Sequence, residues 1–296
     1  MKKTWHKDDL IHLKPKHDVL VAIDSDGCVF DSMTIKQRVF RDGVIEFWGL
    51  ASAEAEAHRI CEWVGLYSPW RGLNRFQLLL QFFQSLEKNL PNVGQQLPTE
   101  PLAAFVNSGV ALSNDELGKR VSATGDPDLA RVLDWSRAVS REIAAIPVFD
   151  EVFQTLEKIR MMADSIVVSQ TTEEALVREW RNAGLGKFVD VIAGAELGSK
   201  IESLATAMNG RYAPERTVMV GDAPGDLETA RATGSLFFPI IPGAENASWI
   251  ELREEGLARI LNGTFSRVYQ DDLMARFNAA LSPVPPWQTG RSGKGL

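Results

Sequence analysis

Apolar positions along this chain follow two rhythms. Short, nearly continuous runs of apolar residues, rich in branched ones, occur at Val19–Ile23, Ser165–Val168 and Thr217–Val220, with further candidates at Val189–Ala193 and Ser235–Phe238. Runs that do not alternate with polar residues suit strands of a parallel sheet covered on both faces. Between them, apolar residues recur at helical spacing. Val152, Phe153, Leu156 and Ile159 mark one face of a helix over Glu151–Arg160, with Asp150 as its N-cap. Glu173–Asn182, Ile201–Met208 and Asp226–Thr233 read the same way, and Gly184 and Gly234 stand where C-caps belong. Strand and helix in alternation predict an α/β fold, a doubly wound, Rossmann-like parallel sheet.

From Thr34 to Ile146 the strand rhythm disappears. Helices are expected at Ile35–Trp48, Ala53–Val64, Arg71–Leu90, Asp115–Val121 and Asp128–Ala145, jointed at Ser68-Pro69, Pro91, Pro98, Pro101 and Asp126-Pro127. The predicted organisation is an α/β core over 1–33 and 147–245 with an all-helical domain, 34–146, inserted into it. A C-terminal helical extension follows over 246–296, ending after Ser282 in a loose tail rich in proline and glycine. Trp48, Trp63, Trp135 and Trp180 sit at helical core spacing, so packing is expected of them rather than sugar stacking.

Composition narrows the setting. Hydrophobic residues make up 45% and charged residues 24% of the 296 residues, the balance of a soluble globular protein. Cys28 and Cys61 are the only cysteines and form no metal or disulfide pattern, which favours a reducing compartment. The N-terminal residues lack the apolar stretch of a signal peptide, and no run is long enough to span a bilayer. A cytoplasmic protein with no membrane partner is therefore expected. The net charge of −7 argues against a nucleic-acid partner. It permits an anionic substrate where a metal and a few cations reverse the local sign.

Three predicted strands deliver polar residues to their carboxyl ends, where open parallel sheets bind ligands. These are Asp24 and Asp26, Ser169, and Asp222 and Asp226. Two carboxylates two residues apart can divide labour: one attacks, and the other gives and takes a proton. Gly27 lets the chain turn sharply beside them. Asp222 and Asp226 would complete an oxygen-rich cage with Asp24 that suits Mg²⁺. Taken singly, the signals are weaker: Asp226 reads equally as a helix cap, Ser169 as a cap, and Lys200 as a surface lysine.

In this order and on these elements, Asp24-Ser25-Asp26-Gly27, Ser169, Lys200 and Gly221-Asp222 through Asp226 resemble the four motifs of the haloacid dehalogenase-like hydrolase superfamily. The resemblance covers Val19–Ser32 and Pro147–Pro242, and Lys200 precedes Asp222 by 22 residues, a usual separation. Ile201 follows the lysine where the family often has proline, which leaves Lys187 as a rival. The resemblance implies Asp24 as nucleophile and Asp26 as acid/base. It implies Ser169 and Lys200 as holders of the transferring phosphoryl group. Mg²⁺ would be bound by the Asp24 carboxylate, the Asp26 backbone carbonyl, Asp222 and Asp226. Gly27 and Gln170, beside these residues, are candidate substrate contacts.

An aspartate at position 26 suits phosphatases and phosphomutases, because an alkoxide leaving group needs a proton, and it sets dehalogenation aside. The inserted domain resembles the family's cap, which closes over the site. Arg71 and Arg75 in it are candidate contacts to the distal part of a substrate. Hydrolysis of a small phosphorylated metabolite is the expected function. A phosphomutase of the β-phosphoglucomutase type shares every motif, and a non-catalytic phospholigand-binding protein is the third reading. The sequence leaves the oligomeric state open.

Overall fold

Five parallel strands form the centre of the α/β unit. In the computed structural model, which describes residues 4–94, 97–141 and 146–288, they are β1 Leu20–Ile23, β2 Asp164–Val168, β3 Val191–Ala193, β4 Thr217–Gly221 and β5 Leu236–Pro239, in the order β3-β2-β1-β4-β5. The register places Ile23 opposite both Val167 of β2 and Val220 of β4. The order reverses between β1 and β4, the position at which such sheets leave a crevice at their carboxyl edge.

The apolar runs are continuous because both faces are covered. Val21, Ile23, Val167, Val218 and Val220 pack with Trp180 and Trp249 on one side. Leu20, Ala22, Ile166, Val168 and Met219 pack with Leu204 and Phe277 on the other. Burial of each valine, leucine, isoleucine, methionine or phenylalanine among them contributes roughly 1.5–3 kcal/mol. The helix expected from 151 runs over Val152–Met162, and its N-cap is Glu151, not Asp150. The Asn246 amide oxygen accepts from the Glu151 N–H at 3.3 Å, so a segment distant in sequence supports this helix start.

The chain divides into two compact units. The α/β unit takes Met1–Ser32 and Ile146–Leu281. The expected separate C-terminal extension is thus core up to Leu281. Trp249 donates from its indole N–H to the Cys28 carbonyl at 2.9 Å, and Phe277 packs edge-on against Phe237 of β5.

The second unit takes Met33–Ala145 and the C-terminal stretch from Ser282. Its described helices of eight residues or more are Ser32–Phe47 (which starts at the unit boundary), Glu54–Leu66, Arg75–Asn89, Thr99–Val106, Asn114–Thr124 and Pro127–Arg141. The end of the helix expected to reach Ala145 lies outside the described residues. Trp135, fully buried, meets Phe40 and Trp48 edge-on. Trp63 is 6% exposed, and Trp180, in the α/β unit, is fully buried, so these tryptophans are packing residues.

Two expectations for this unit change. The helix expected from Arg71 begins at Arg75. Gly72 at φ +81° closes a turn, and Asn74 then caps the helix, its side chain accepting from the Phe76 N–H at 3.0 Å. The tail expected to be loose is packed over Ser282–Gln288. Trp63 donates to the Ser282 carbonyl at 3.1 Å, Trp287 packs edge-on against Trp63 at 5.7 Å, and Arg59 lies 4.2 Å over the Trp287 ring. The Trp287 indole N–H donates to the Asn89 side chain at 3.1 Å.

Edge-on aromatic pairs contribute about 0.5–1.5 kcal/mol and a hydrogen bond about 1 kcal/mol. Trp287→Ala should therefore lower unfolding stability by about 1–3 kcal/mol, read from the urea midpoint. An unchanged midpoint would mean that the tail is only laid on the surface.

Candidate active site

At the carboxyl edge of β1 and β4 the chain gathers charge. The Asp24 N–H donates to the Val220 carbonyl at 2.9 Å, which continues the β1–β4 ladder by one residue and places the Asp24 side chain just past the sheet. The next residues turn back sharply. Gly27 has φ +75°, a left-handed conformation that a side chain would strain. Its N–H donates to the Phe30 carbonyl, and the N–H groups of Val29 and Phe30 both donate to the Ser25 carbonyl. Ser25 is buried and accepts the Trp180 indole N–H at 3.0 Å.

Asp222 and Asp226 come from the turn after β4. Among the described residues, Asp24, Asp222 and Asp226 form the one cluster able to surround a metal ion, one carboxylate oxygen from each lying within 4.8 Å of the others. All three are buried. Gly221 is required here: a Cβ at that position would stand 2.3 Å from the Asp226 carboxyl group. Asp226 serves the helix start, one of the two roles its sequence position suggested, and an ion pair as well. One oxygen accepts the Ala223 N–H at 3.0 Å at the helix start, and the other takes the Lys200 ammonium at 2.6 Å.

Lys200 opens the helix Lys200–Met208, whose Ser199 cap accepts the Glu202 N–H. Its ammonium also reaches Asp24 Oδ1 at 2.8 Å. Lys187, the rival, lies instead over the Phe153 and Phe188 rings at 5.0 and 4.9 Å. Burial alone would lower the Lys200 ammonium, but Asp226 and Asp24 outweigh it and hold it charged. Burial pushes the Asp24 carboxyl well above the usual carboxylate range; Lys200 opposes that shift, while Asp226 and Asp222 reinforce it. Three carboxylates and one ammonium leave a formal charge of −2 on this buried cluster. A hard divalent cation with oxygen ligands fits that donor set and that charge.

Ser169, at the end of β2, donates from its N–H to the Ala193 carbonyl at 3.0 Å and accepts the Thr171 N–H on its hydroxyl at 3.2 Å. The Asp26 carboxylate is not part of the acidic cluster. Its Oδ2 accepts the Thr171 hydroxyl at 2.6 Å, a partner that no sequence motif marks because 145 residues separate the two. Gln170 is exposed beside them. The Gly27 N–H is taken by the Phe30 carbonyl at 2.9 Å, within the turn. Cys28 is no alternative nucleophile, since burial, followed by Asp222 and Asp24, pushes its thiol up.

Arg71 and Arg75 belong to the helical unit and use donors inside it. Arg71 is 3% exposed and donates to the Leu66 carbonyl at 3.1 Å, satisfying a helix C-terminus. Arg75 donates to the Ser136 carbonyl at 3.0 Å and the Ser140 hydroxyl at 2.5 Å. Both arginines, offered by the sequence as contacts to the distal part of a substrate, have these donors engaged inside their own unit.

The sequence profile described as haloacid dehalogenase-like hydrolase matches residues 73–239, more than half of the chain. The chain belongs to that family of hydrolases. The matched stretch holds Ser169, Lys200, Asp222 and Asp226, and the fold brings Asp24, which precedes it, to the same cluster. Comparison with curated protein sequences gave no match.

Solved structures similar to this chain include a haloacid dehalogenase-superfamily hydrolase of subfamily IA from Geobacter sulfurreducens, 14% identical, covering 76% of this chain and 90% of that one at a TM-score of 0.41. A candidate phosphoglycolate phosphatase from Lactobacillus plantarum is 14% identical over 78% and 90% of the two chains, at a TM-score of 0.44. A haloacid dehalogenase-like hydrolase from Streptococcus pneumoniae is 15% identical over 78% and 90%, also at 0.44. Among the described residues no helix is long and apolar enough to cross a membrane.

The charge cluster makes a prediction about stability. A carboxyl raised on folding favours the folded state at low pH, and that contribution is lost as pH rises through the raised value. Asp24→Asn should therefore melt higher than the wild type at neutral pH in chelator. The gap should close as pH falls toward about 4, the ordinary carboxyl value. Differential scanning fluorimetry across pH reads it, and a lower melting point at pH 7 would contradict the assigned direction.

Proposed function

We propose that this protein is a Mg²⁺-dependent phosphatase that hydrolyses a small phosphorylated metabolite by way of an aspartyl phosphate on Asp24. The observation that carries this reading is the buried cluster itself: Asp24, Asp222 and Asp226 within 4.8 Å, bridged by Lys200, at the carboxyl edge where the sheet order reverses. Asp26, two residues from Asp24 and separate from the cluster, supports a proton-handling role beside it.

The residues divide the work as follows. Asp24 attacks phosphorus. Its oxygen–phosphorus bond forms as the bond to the leaving oxygen breaks with both electrons going to that oxygen, which takes a proton from the Asp26 carboxyl. Water then attacks the aspartyl phosphate, gives one proton to the Asp26 carboxylate, and leaves inorganic phosphate and a restored Asp24. Lys200, holding Asp24 at 2.8 Å, aims the nucleophile and balances phosphoryl charge. Ser169 lies at the end of β2, where a hydroxyl can hold a phosphoryl oxygen. Asp24, Asp222 and Asp226, with the Asp26 backbone carbonyl, would hold Mg²⁺. The bound ion supplies charge neutralisation at the transferring group. A general acid contributes about 10²–10⁴-fold, which is why an alkyl phosphate fits this site.

Release of inorganic phosphate from a panel of phosphorylated metabolites with Mg²⁺ tests the reading. We expect turnover of at least one alkyl monoester that vanishes in EDTA and in Asp24→Asn. Asp222→Ala should raise the Mg²⁺ needed for half-maximal rate at least about tenfold, as expected for loss of a charged metal ligand. Retention of more than a few per cent of activity by Asp24→Asn would remove Asp24 as nucleophile. Isomerisation of a hexose phosphate in place of phosphate release would reassign the protein as a mutase.

A further inference from the structure

We propose that Thr171 is the positioning residue for the acid/base Asp26, holding its carboxyl group in the orientation that delivers a proton to the leaving group. The inference rests on the reading of Asp26 given above and extends it to a residue outside the four motifs.

Thr171 is held on both sides. Its N–H donates to the Ser169 hydroxyl at 3.2 Å, and its carbonyl accepts the Ala195 N–H at 3.0 Å. The segment after β3 can come this close because residue 194 is glycine: a Cβ there would stand 2.6 Å from the Glu173 backbone nitrogen. With the backbone fixed and a β-branched side chain restricted at χ1, the Thr171 hydroxyl has little freedom. It stands 2.6 Å from Asp26 Oδ2, within the range of a short hydroxyl–carboxylate bond.

A carboxylate can only accept, so the hydroxyl must be the donor when Asp26 is ionised. With Oδ2 engaged in this bond, the hydroxyl fixes the orientation of the carboxyl group that gives a proton to the leaving oxygen and then takes one from water. The arrangement links the end of β2 to the turn after β1 through one side-chain contact. It sets the carboxyl plane of Asp26 without adding a charge to the cluster around Asp24.

The test separates leaving groups. Reaction up to the first irreversible step is read by kcat/KM and covers phosphoryl transfer to Asp24, in which a proton is needed only by a poor leaving group. Thr171→Val, which keeps the shape and removes the hydroxyl, should lower kcat/KM for the best alkyl monoester by about 10–100-fold, a part of what general acid catalysis supplies. The same variant should stay within about threefold of the wild type on 2,4-dinitrophenyl phosphate, whose leaving group departs as an anion. Thr171→Ser should recover most of the alkyl-ester rate. If the valine variant does not show the wild-type melting profile, Thr171→Ala is read on the same pair of substrates. Equal losses on both esters, or none on either, would overturn the positioning role. Failure of the phosphatase reading would appear separately, as activity surviving in Asp24→Asn.

Discussion

The contact of Lys200 with Asp24 and Asp226 is the constraint on which the site depends. A helix N-terminus carries partial positive charge and disfavours a cation, yet Lys200 occupies the first position of its helix. Two buried carboxylates at 2.8 and 2.6 Å overcome that preference. The dependence runs both ways. Without the ammonium, three carboxylates would face one another at low dielectric, and removing one partner of a buried pair costs about 3–5 kcal/mol. The strand register, the close approach at Gly221 and the capping of the Lys200 helix all bring these groups to one point. The arrangement is poised electrostatically: its remaining negative charge is a liability for the protein alone and an asset once a cation and a phosphate are bound.

Much of this was legible in the sequence for a physical reason. A sheet buried on both faces writes itself as unbroken apolar runs, and its carboxyl edge writes itself as the polar residues that end them. Asp24, Ser169 and Asp222 were found that way, and the fold places them at the edge of adjacent strands β1, β2 and β4. The helix over Glu173–Asn182 was legible because its apolar stripe is narrow and regular.

What was not legible depends on partners distant in sequence. Arg71 and Arg75 resemble exposed cations until the carbonyls of Leu66 and Ser136 are seen beside them. Thr171 carries no signal of its own until Asp26, 145 residues earlier, is placed against it. The helix Thr99–Val106 was hidden by Pro98 and Pro101, read as breakers, although proline is tolerated in a helix's first turn because the N–H it lacks has no intrahelical acceptor there. The tail misled by composition: its prolines and glycines spoke for disorder, and the one residue that spoke against it was Trp287.

That tryptophan alters what counts as a module in this chain. The backbone passes from one unit to the other at 32/33, at 145/146 and again at 281/282, so the helical unit is assembled from two stretches separated in sequence by core residues 146–281. A chimera that exchanges only the internal insertion with a relative would leave Trp287 facing foreign residues in place of Trp63, Arg59 and Asn89. The heritable unit here is an insertion together with a distant C-terminal clasp. Recombination that separates the two stretches would break a contact that no linear domain boundary records.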